Sequence, residues 1–585
     1  MNQKPSPKNR PRNPAAKRSA GAGEARLLAP EFLQESPGEQ ETLLALERLL
    51  TRAQGFSLAF ARVNMPVQRA ELVQAIRRRL EPQGFTFLEI EFTVPIADLL
   101  AELSRRLPPE TRDQKPQTGA SVARRAIFVY GLENSISSSA VYHPLLAVIN
   151  YKRENFRELI PWPLVLWVPE YVLQAIIEGA PDFWAWRSGV FEFAAPQAEL
   201  EKMWGQFESE RGAMVLARLT LAEKKQRTQL LANLLAEYEV HEKADTPEIM
   251  TIRADLLNRL GLLHDHLGNL DEALGYYEKS RSIRKKLGNR AGEGATLNNI
   301  GNIYRARGDY ATALDYWQQS LKISREIGDR QGEGTTLNNI SQIYKARGDY
   351  ATALEYLEKS LAIQREIGDR QGEGRALGNI GNIYRARGDY DTALDYLQQS
   401  LKILREIGDR QGEGTTLGNI GNIYHARGDY ATALDYLQQS LKISREIGDR
   451  QGEGATLNNI SQIYDARGDY ATALEYLEKS LKISREIGDR AGMIPTLHNL
   501  AHIYLQNQQL QAALETFGEA LQLSFETNNA EGLFNVARDL GNVLCLIGQK
   551  KEGVKLLQQS LAVGRQMGHP DLPEVEELVR NYTAE

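Results

Sequence analysis

Along the C-terminal half of the chain, apolar residues return at intervals of three and four. Leu297, Ile300, Gly301 and Tyr304 fall at i, i+3, i+4 and i+7, which places them on one face of a helix. Gly308 and Asp309 interrupt the run; glycine takes the left-handed conformation that ends a helix and aspartate caps the next one. Ala313, Trp317 and Leu321 resume the helical spacing until Gly328 and Asp329 close the unit. The block GEGATLNNIGNIYRARGDYATALDYWQQSLKISREIGDRQ recurs with few changes every 40 residues from residue 292. Self-similarity at such a period predicts stacked helical hairpins, each stabilised by its neighbours and unable to fold alone. Tyr304, Gly308, Tyr310 and Ala313, with Tyr344, Gly348, Tyr350 and Ala353 one unit on, are the predicted packing residues.

These residues resemble the tetratricopeptide repeat family. Its pattern of a large apolar residue, Leu-Gly, Tyr, Gly-x-Tyr, Ala, aromatic and Ala is matched by Leu297, Ile300-Gly301, Tyr304, Gly308-Asp309-Tyr310, Ala313, Trp317 and Ser320. Five strong units run from 292 to 491, with weaker ones at about 252–291, 492–531 and 532–570. The longer period and the missing terminal proline make them similar to the kinesin light chain and to the Leu-Gly-Asn-type adaptors. Those relatives bind extended peptides on a concave surface, so the resemblance implies a protein or peptide partner.

Asn298, Asn302 and Arg305 lie at i, i+4 and i+7 on a stripe rotated away from the packing face. That stripe is expected to line the concave surface, together with its equivalents Asn338, Gln342 and Lys345, Asn382 and Arg385, Asn422 and His425, and Gln462 and Asp465. Beside it Asn299, Asn339, Asn379, Asn419, Asn459 and Asn499 form a ladder of carboxamides. Each amide both donates and accepts, so a ladder can hold a peptide backbone whatever its side chains. The alternative is that these asparagines record block duplication, as the shared Ser-Gln-Ile-Tyr and Glu-Tyr-Leu-Glu-Lys-Ser of the units beginning near 332 and 452 suggest. One inner position changes character along the array, from Arg305, Lys345 and Arg385 through His425 to Asp465 and Leu505, and Arg375 adds to the basic end. An acidic segment is expected to dock near residues 305–385, against the reading of neutral drift at solvated positions. His498 and His502 are four apart on one helix, but with no evident third ligand they read as groove-lining, and no metal or cofactor is expected.

The N-terminal half alternates strand and helix patterns. Phe56–Val63, Phe85–Phe92, Ala126–Tyr130, Leu164–Val168 and Val190–Phe193 read as strands; Gln68–Leu80, Ile96–Leu107, Leu145–Leu159 and Tyr171–Glu178 read as helices. Buried strands separated by helices predict a parallel sheet covered on both sides, an α/β domain. The order of elements resembles the P-loop domain of the signal-transduction ATPases. A P-loop needs glycines around the phosphates, a lysine and a Ser or Thr, and Asn64-Met65-Pro66-Val67-Gln68-Arg69 supplies none of these. At the third strand end Gly131 takes the early position and Glu133 follows. The expectation is a degenerate, non-hydrolysing domain; the alternative is a nucleotide-dependent signalling switch. The aromatic stretch 180–193 is expected to pack the last strand.

The expected organisation is a disordered basic tail (1–35), the α/β domain (36–197), a helical linker (198–250), an all-α superhelical solenoid of about eight units (251–570) and a capping helix (571–585). Composition changes this little. The 585 residues are 42% apolar and 25% charged, with a net charge of −6, which gives no argument for a nucleic-acid or membrane partner. The tail's basic residues, without interleaved aromatics, read as solvated rather than as a contact for an anionic surface. A single cysteine, Cys545, excludes an internal disulfide. Prolines 161, 163 and 169 break the longest apolar stretch, and the N-terminus has no apolar secretory core, so a cytoplasmic protein is expected. With no nucleophile–base motif, the expected function is that of a non-enzymatic scaffold.

Overall fold

The computed structural model describes residues 37–107, 124–136, 143–208, 216–240 and 244–583; the basic tail lies outside them. The N-terminal elements are α1 (Pro37–Arg52), β1 (Ser57–Arg62), α2 (Pro66–Leu80), β2 (Phe85–Glu91), α3 (Leu99–Arg106), β3 (Arg124–Tyr130), α4 (Pro144–Tyr151), α5 (Arg153–Leu159), β4 (Pro163–Val168), α6 (Glu170–Gly179), α7 (Pro181–Ala185) and β5 (Arg187–Glu192). All strand pairs are parallel, in the order β2-β3-β4-β1-β5. Alternate residues of each strand feed opposite cores, as burial on both faces requires. Phe60, Val129 and Leu166 meet α3, α4 and α6 on one side; Ala61, Phe128 and Trp167 meet α1 and α2 on the other.

Three details depart from the sequence expectation. α1 was not foreseen, although Leu43, Leu46 and Leu50 keep a helical spacing and are buried. The helix expected over Leu145–Leu159 is two, because the backbone of Lys152 leaves the helical region at φ −89° and ψ 9°, while its ammonium pairs with Asp98. α3 starts at Leu99 rather than Ile96, since the Asp98 side chain accepts from the Ala101 N–H and fixes the cap there. Within the aromatic stretch Phe183 is fully buried, edge-on to Phe60 and tilted against Phe156.

Two helices join the halves, α8 (Gln197–Glu208) and α9 (Leu221–Val240). α9 buries Leu231, Leu234 and Tyr238 in one core with Met65 of the sheet domain and with Leu256, Leu257 and Leu260 of the array. It is a wall shared by both halves.

Eight hairpins follow among the described residues, the first made by Pro247–His266 and Leu270–Lys286, the second by Arg290–Ala306 and Tyr310–Ile327, the last by Ala530–Leu546 and Lys550–Met567. The unit repeats for physical reasons. Gly308 has φ +71°, and the Asp309 side chain accepts from the Thr312 N–H to start the second helix. Gly301 lets Trp317 close on the first helix; a Cβ there would lie 2.3 Å from the indole nitrogen. Tyr304 and Tyr316 stack at 5.4 Å, as do their equivalents in later units. A closing helix, Leu572–Thr583, covers the eighth hairpin through Val575 and a Tyr582–Asn542 hydrogen bond of 2.8 Å.

The array curls until its ends meet. The tip of the second hairpin at Gly308 abuts Ala530 and Met567; Tyr310, Trp317, Ala530 and Met567 share one core. Gly348 of the third hairpin rests near Pro570, and the Arg347 Nε donates to the Met567 carbonyl at 3.4 Å. α9 crosses the same seam, where the Lys224 ammonium donates to the Ile487 carbonyl at 2.9 Å.

Candidate functional site: the inner wall of the array

First helices of successive hairpins touch one another more closely than second helices do, so the first helices form the inner wall. Their inward positions include 298, 302 and 305 and equivalents, and also 295, 335, 375 and 415, three residues before the 298 row on the same helix face. Arg375 stands exposed in that last row.

The carboxamide ladder is knitted within the protein. Asn299 donates to Asn258, Asn339 to Asn298, Asn379 to Asn338 and Asn499 to Asn458, at 2.8–3.4 Å. Asn298 donates further to Ser320 and Thr336 at 2.9 Å. Each rung ties one hairpin to the next. Two rungs are missing because Gly378 and Gly418 stand where the acceptor asparagine would be, which leaves the Asn419 and Asn459 amides without a side-chain partner among the described residues. Between them opens a pocket of about 200 Å³, lined also by Thr415, Gly418, Ser440 and Thr456.

The next inward row, Asn302, Gln342, Asn382, Asn422 and Gln462, is half-buried; the Asn382 carbonyl oxygen is buried without a partner. In the row beginning at Arg305, the charge of Asp265 acts on exposed Arg305, whereas no carboxylate pairs with half-buried Lys345 or Arg385 among the described residues. Burial pushes the Lys345 ammonium pKa down and the neighbouring Arg385 charge adds to it; the Arg385 Nε is itself buried and unpartnered. Further along, burial lowers the His425 pKa and raises that of Asp465, each opposed by the other's charge. Arg305 opens into a seam cavity of about 340 Å³ with Asp265, His266, Lys224 and Asp489.

His498 and His502 take the inward places of Asn298 and Asn302. Their Nε2 atoms lie 2.8 Å and 3.0 Å from one oxygen, Oδ2 of Asp539. Asp539 was missed in the sequence because it sits on the next hairpin; the signal was an aspartate on the ladder position, 40 residues after Asn499.

In the sheet domain, β1 and β4 are neighbours whose following helices leave to opposite faces, the crevice where open parallel sheets bind ligands. Here it holds Asn64, whose Oδ1 accepts from the Glu170 N–H at 2.7 Å and whose Nδ2 donates to Glu237 of α9 at 2.7 Å. Glu237 also accepts from the Ala195 N–H at 2.8 Å and lies 3.7 Å from buried Arg62. Glu133 pairs with Arg69 at 3.2 Å.

The family profile described as tetratricopeptide repeat matches residues 252–326, 332–406, 412–486 and 492–566, just over half of the chain. The chain belongs to the tetratricopeptide repeat family. Several solved structures are similar to it. A Rap protein complexed with competence and sporulation factor is 14% identical at a TM-score of 0.43, covering 64% of this chain and 99% of that one. Aspartyl phosphate phosphatase F from Bacillus subtilis is 15% identical at a TM-score of 0.38, covering 63% and 95%. Kinesin light chain repeats from Podosopora anserina are 21% identical at a TM-score of 0.26, covering 32% and 93%. No curated protein matches the chain. Among the described residues of this tetratricopeptide protein, no helix is long and apolar enough to cross a membrane.

Proposed function

We propose that this chain is a non-enzymatic cytoplasmic scaffold that binds an extended peptide or protein segment along the inner wall of its repeats, with acidic residues of that segment beside Arg305, Lys345 and Arg385. One observation carries the reading: Lys345 and Arg385 have no carboxylate partner among the described residues, in an array where Arg325, Arg330, Arg365, Arg370, Arg405 and Arg410 each have one. A half-buried cation without a counter-charge favours an incoming carboxylate, because its hydration is already reduced. Arg375 widens the basic region, and the Asn419 and Asn459 amides supply donors and acceptors for a backbone. The test is fluorescence anisotropy of a labelled deca-glutamate peptide with the full chain. Binding should weaken with salt and fall about tenfold or more on Lys345→Glu with Arg385→Glu. Equal binding by that variant, or by deca-lysine, would sink the reading.

The α/β domain we take as a degenerate P-loop relative that docks or regulates without hydrolysing nucleotide. Supporting this, the turn after β1 has no glycine, lysine or hydroxyl side chain, and a carboxylate from α9 stands at the strand ends, where it would repel phosphate. The rival, a nucleotide-dependent signalling switch, requires heat on titrating ATP and magnesium that is lost in Glu133→Gln.

A further inference from the structure

The amide ladder ends in a different chemistry at the seventh and eighth hairpins. In every other formed rung, one carboxamide at the 299-type position donates to one at the 298-type position of the preceding hairpin. At the last rung the pair is Asp539 and His498. A rung needs nothing more, yet His502, one turn along the same helix, brings a second imidazole nitrogen to the same carboxylate oxygen at 3.0 Å. The donor atoms of all three residues lie within 4.8 Å of one another.

We propose that His498, His502 and Asp539 form a site for one divalent transition-metal ion of the zinc class on the inner wall of the groove. Two neutral imidazole nitrogens and one carboxylate oxygen are the ligand types such an ion takes, whereas calcium and magnesium prefer oxygen alone. Bonds near 2.0–2.1 Å at tetrahedral angles separate donors by about 3.3 Å, so the present nitrogen–oxygen distances need open by only a few tenths of an ångström. The surroundings orient the ligands. Arg538 donates from Nε to Asp539 Oδ1 at 2.7 Å, which turns Oδ2 to the histidines, while its second contact, 3.3 Å from Oδ2, and its charge temper the affinity. Phe517 sets its ring against both imidazoles, with centroids 5.8 Å and 5.3 Å away, and forms an apolar back wall. His502 remains 41% exposed, so the fourth coordination position faces the groove and is open to water or to a donor from a bound segment.

The test uses tag-free full-length protein stripped with chelator, titrated with zinc chloride by calorimetry and with cobalt chloride by visible absorption. The expected result is one equivalent of either ion, with the intense visible bands of low-coordinate cobalt(II). His502→Ala and Asp539→Asn should each weaken binding tenfold or more with unchanged helical circular dichroism. His502, half in solvent, can be removed without loss of fold even where Asp539→Asn disturbs packing. Absence of stoichiometric binding, or undiminished binding by the folded His498→Ala/His502→Ala protein, overturns the assignment.

Discussion

Asn64 and Glu237 stand 173 positions apart and meet at 2.7 Å, amide to carboxylate, at the carboxyl ends of the parallel strands. The contact is buried and is backed by Asn233 of the same helix, which donates to the Asn64 carbonyl at 2.8 Å. It fastens the sheet domain to α9, and α9 to the array.

Glu237→Ala should therefore act on both halves. It leaves Arg62, only 3% exposed, with the partial pairs to Glu170 and Glu192 alone. Removing one partner of a buried charged group costs about 3–5 kcal/mol. The expected outcome is a lower unfolding midpoint and faster proteolysis between residues 208 and 244, with the repeats still helical. Unchanged proteolysis would show that the helix is held by its apolar face alone.

The ladder residues should separate by role. Asn339→Ala removes a rung and is expected to cost about 1 kcal/mol of stability, read by denaturant unfolding. Asn419→Ala and Asn459→Ala remove amides that bond to no other side chain among the described residues; they should leave stability unchanged and weaken deca-glutamate binding.

The turns carry a pH dependence of known sign. Burial pushes the Glu333 and Glu373 carboxyls up, but hydrogen bonds from Arg325 and Arg330, and from Arg365 and Arg370, outweigh it and hold both below the ordinary 4.5. A depressed folded value means stability that is present above 4.5 and lost as pH falls through the folded value. The thermal midpoint should drop below pH 4.5, and Arg325→Gln with Arg365→Gln should flatten that drop.

The seam offers a shape readout. Met567→Glu places a charge in the core it shares with Tyr310 and Trp317, where an unpaired charge is not tolerated. The prediction is a larger radius of gyration by small-angle scattering with helical content preserved. An unchanged radius would mean that α9 alone keeps the ends together.

The repeat was legible because one period governs packing, caps and turns together: Gly301 beneath Trp317 and Asp309 at its cap follow from local spacing. The strands were legible because near-continuous apolar runs such as 163–168 have one way to be buried. What joins distant units was not. Met567 beside Gly308 depends on curvature summed over several hairpins, Glu237 beside Asn64 on how the linker helix docks on the sheet, and Asp539 beside His498 on a substitution at both ends of one rung, none of which a single period contains. The ladder sits between these cases; its asparagines were visible, and their engagement with one another became visible only when the spacing between neighbouring hairpins was fixed.

A chain whose units are so alike can exchange blocks without disturbing any neighbour-to-neighbour contact. Its length is another matter. Because the tips at Gly308 and Gly348 land on residues 530 and 567–570, one more or one fewer unit would carry the landing place away by a whole hairpin, with every local interface intact. The sequence of a unit is interchangeable here, and the number of units is not.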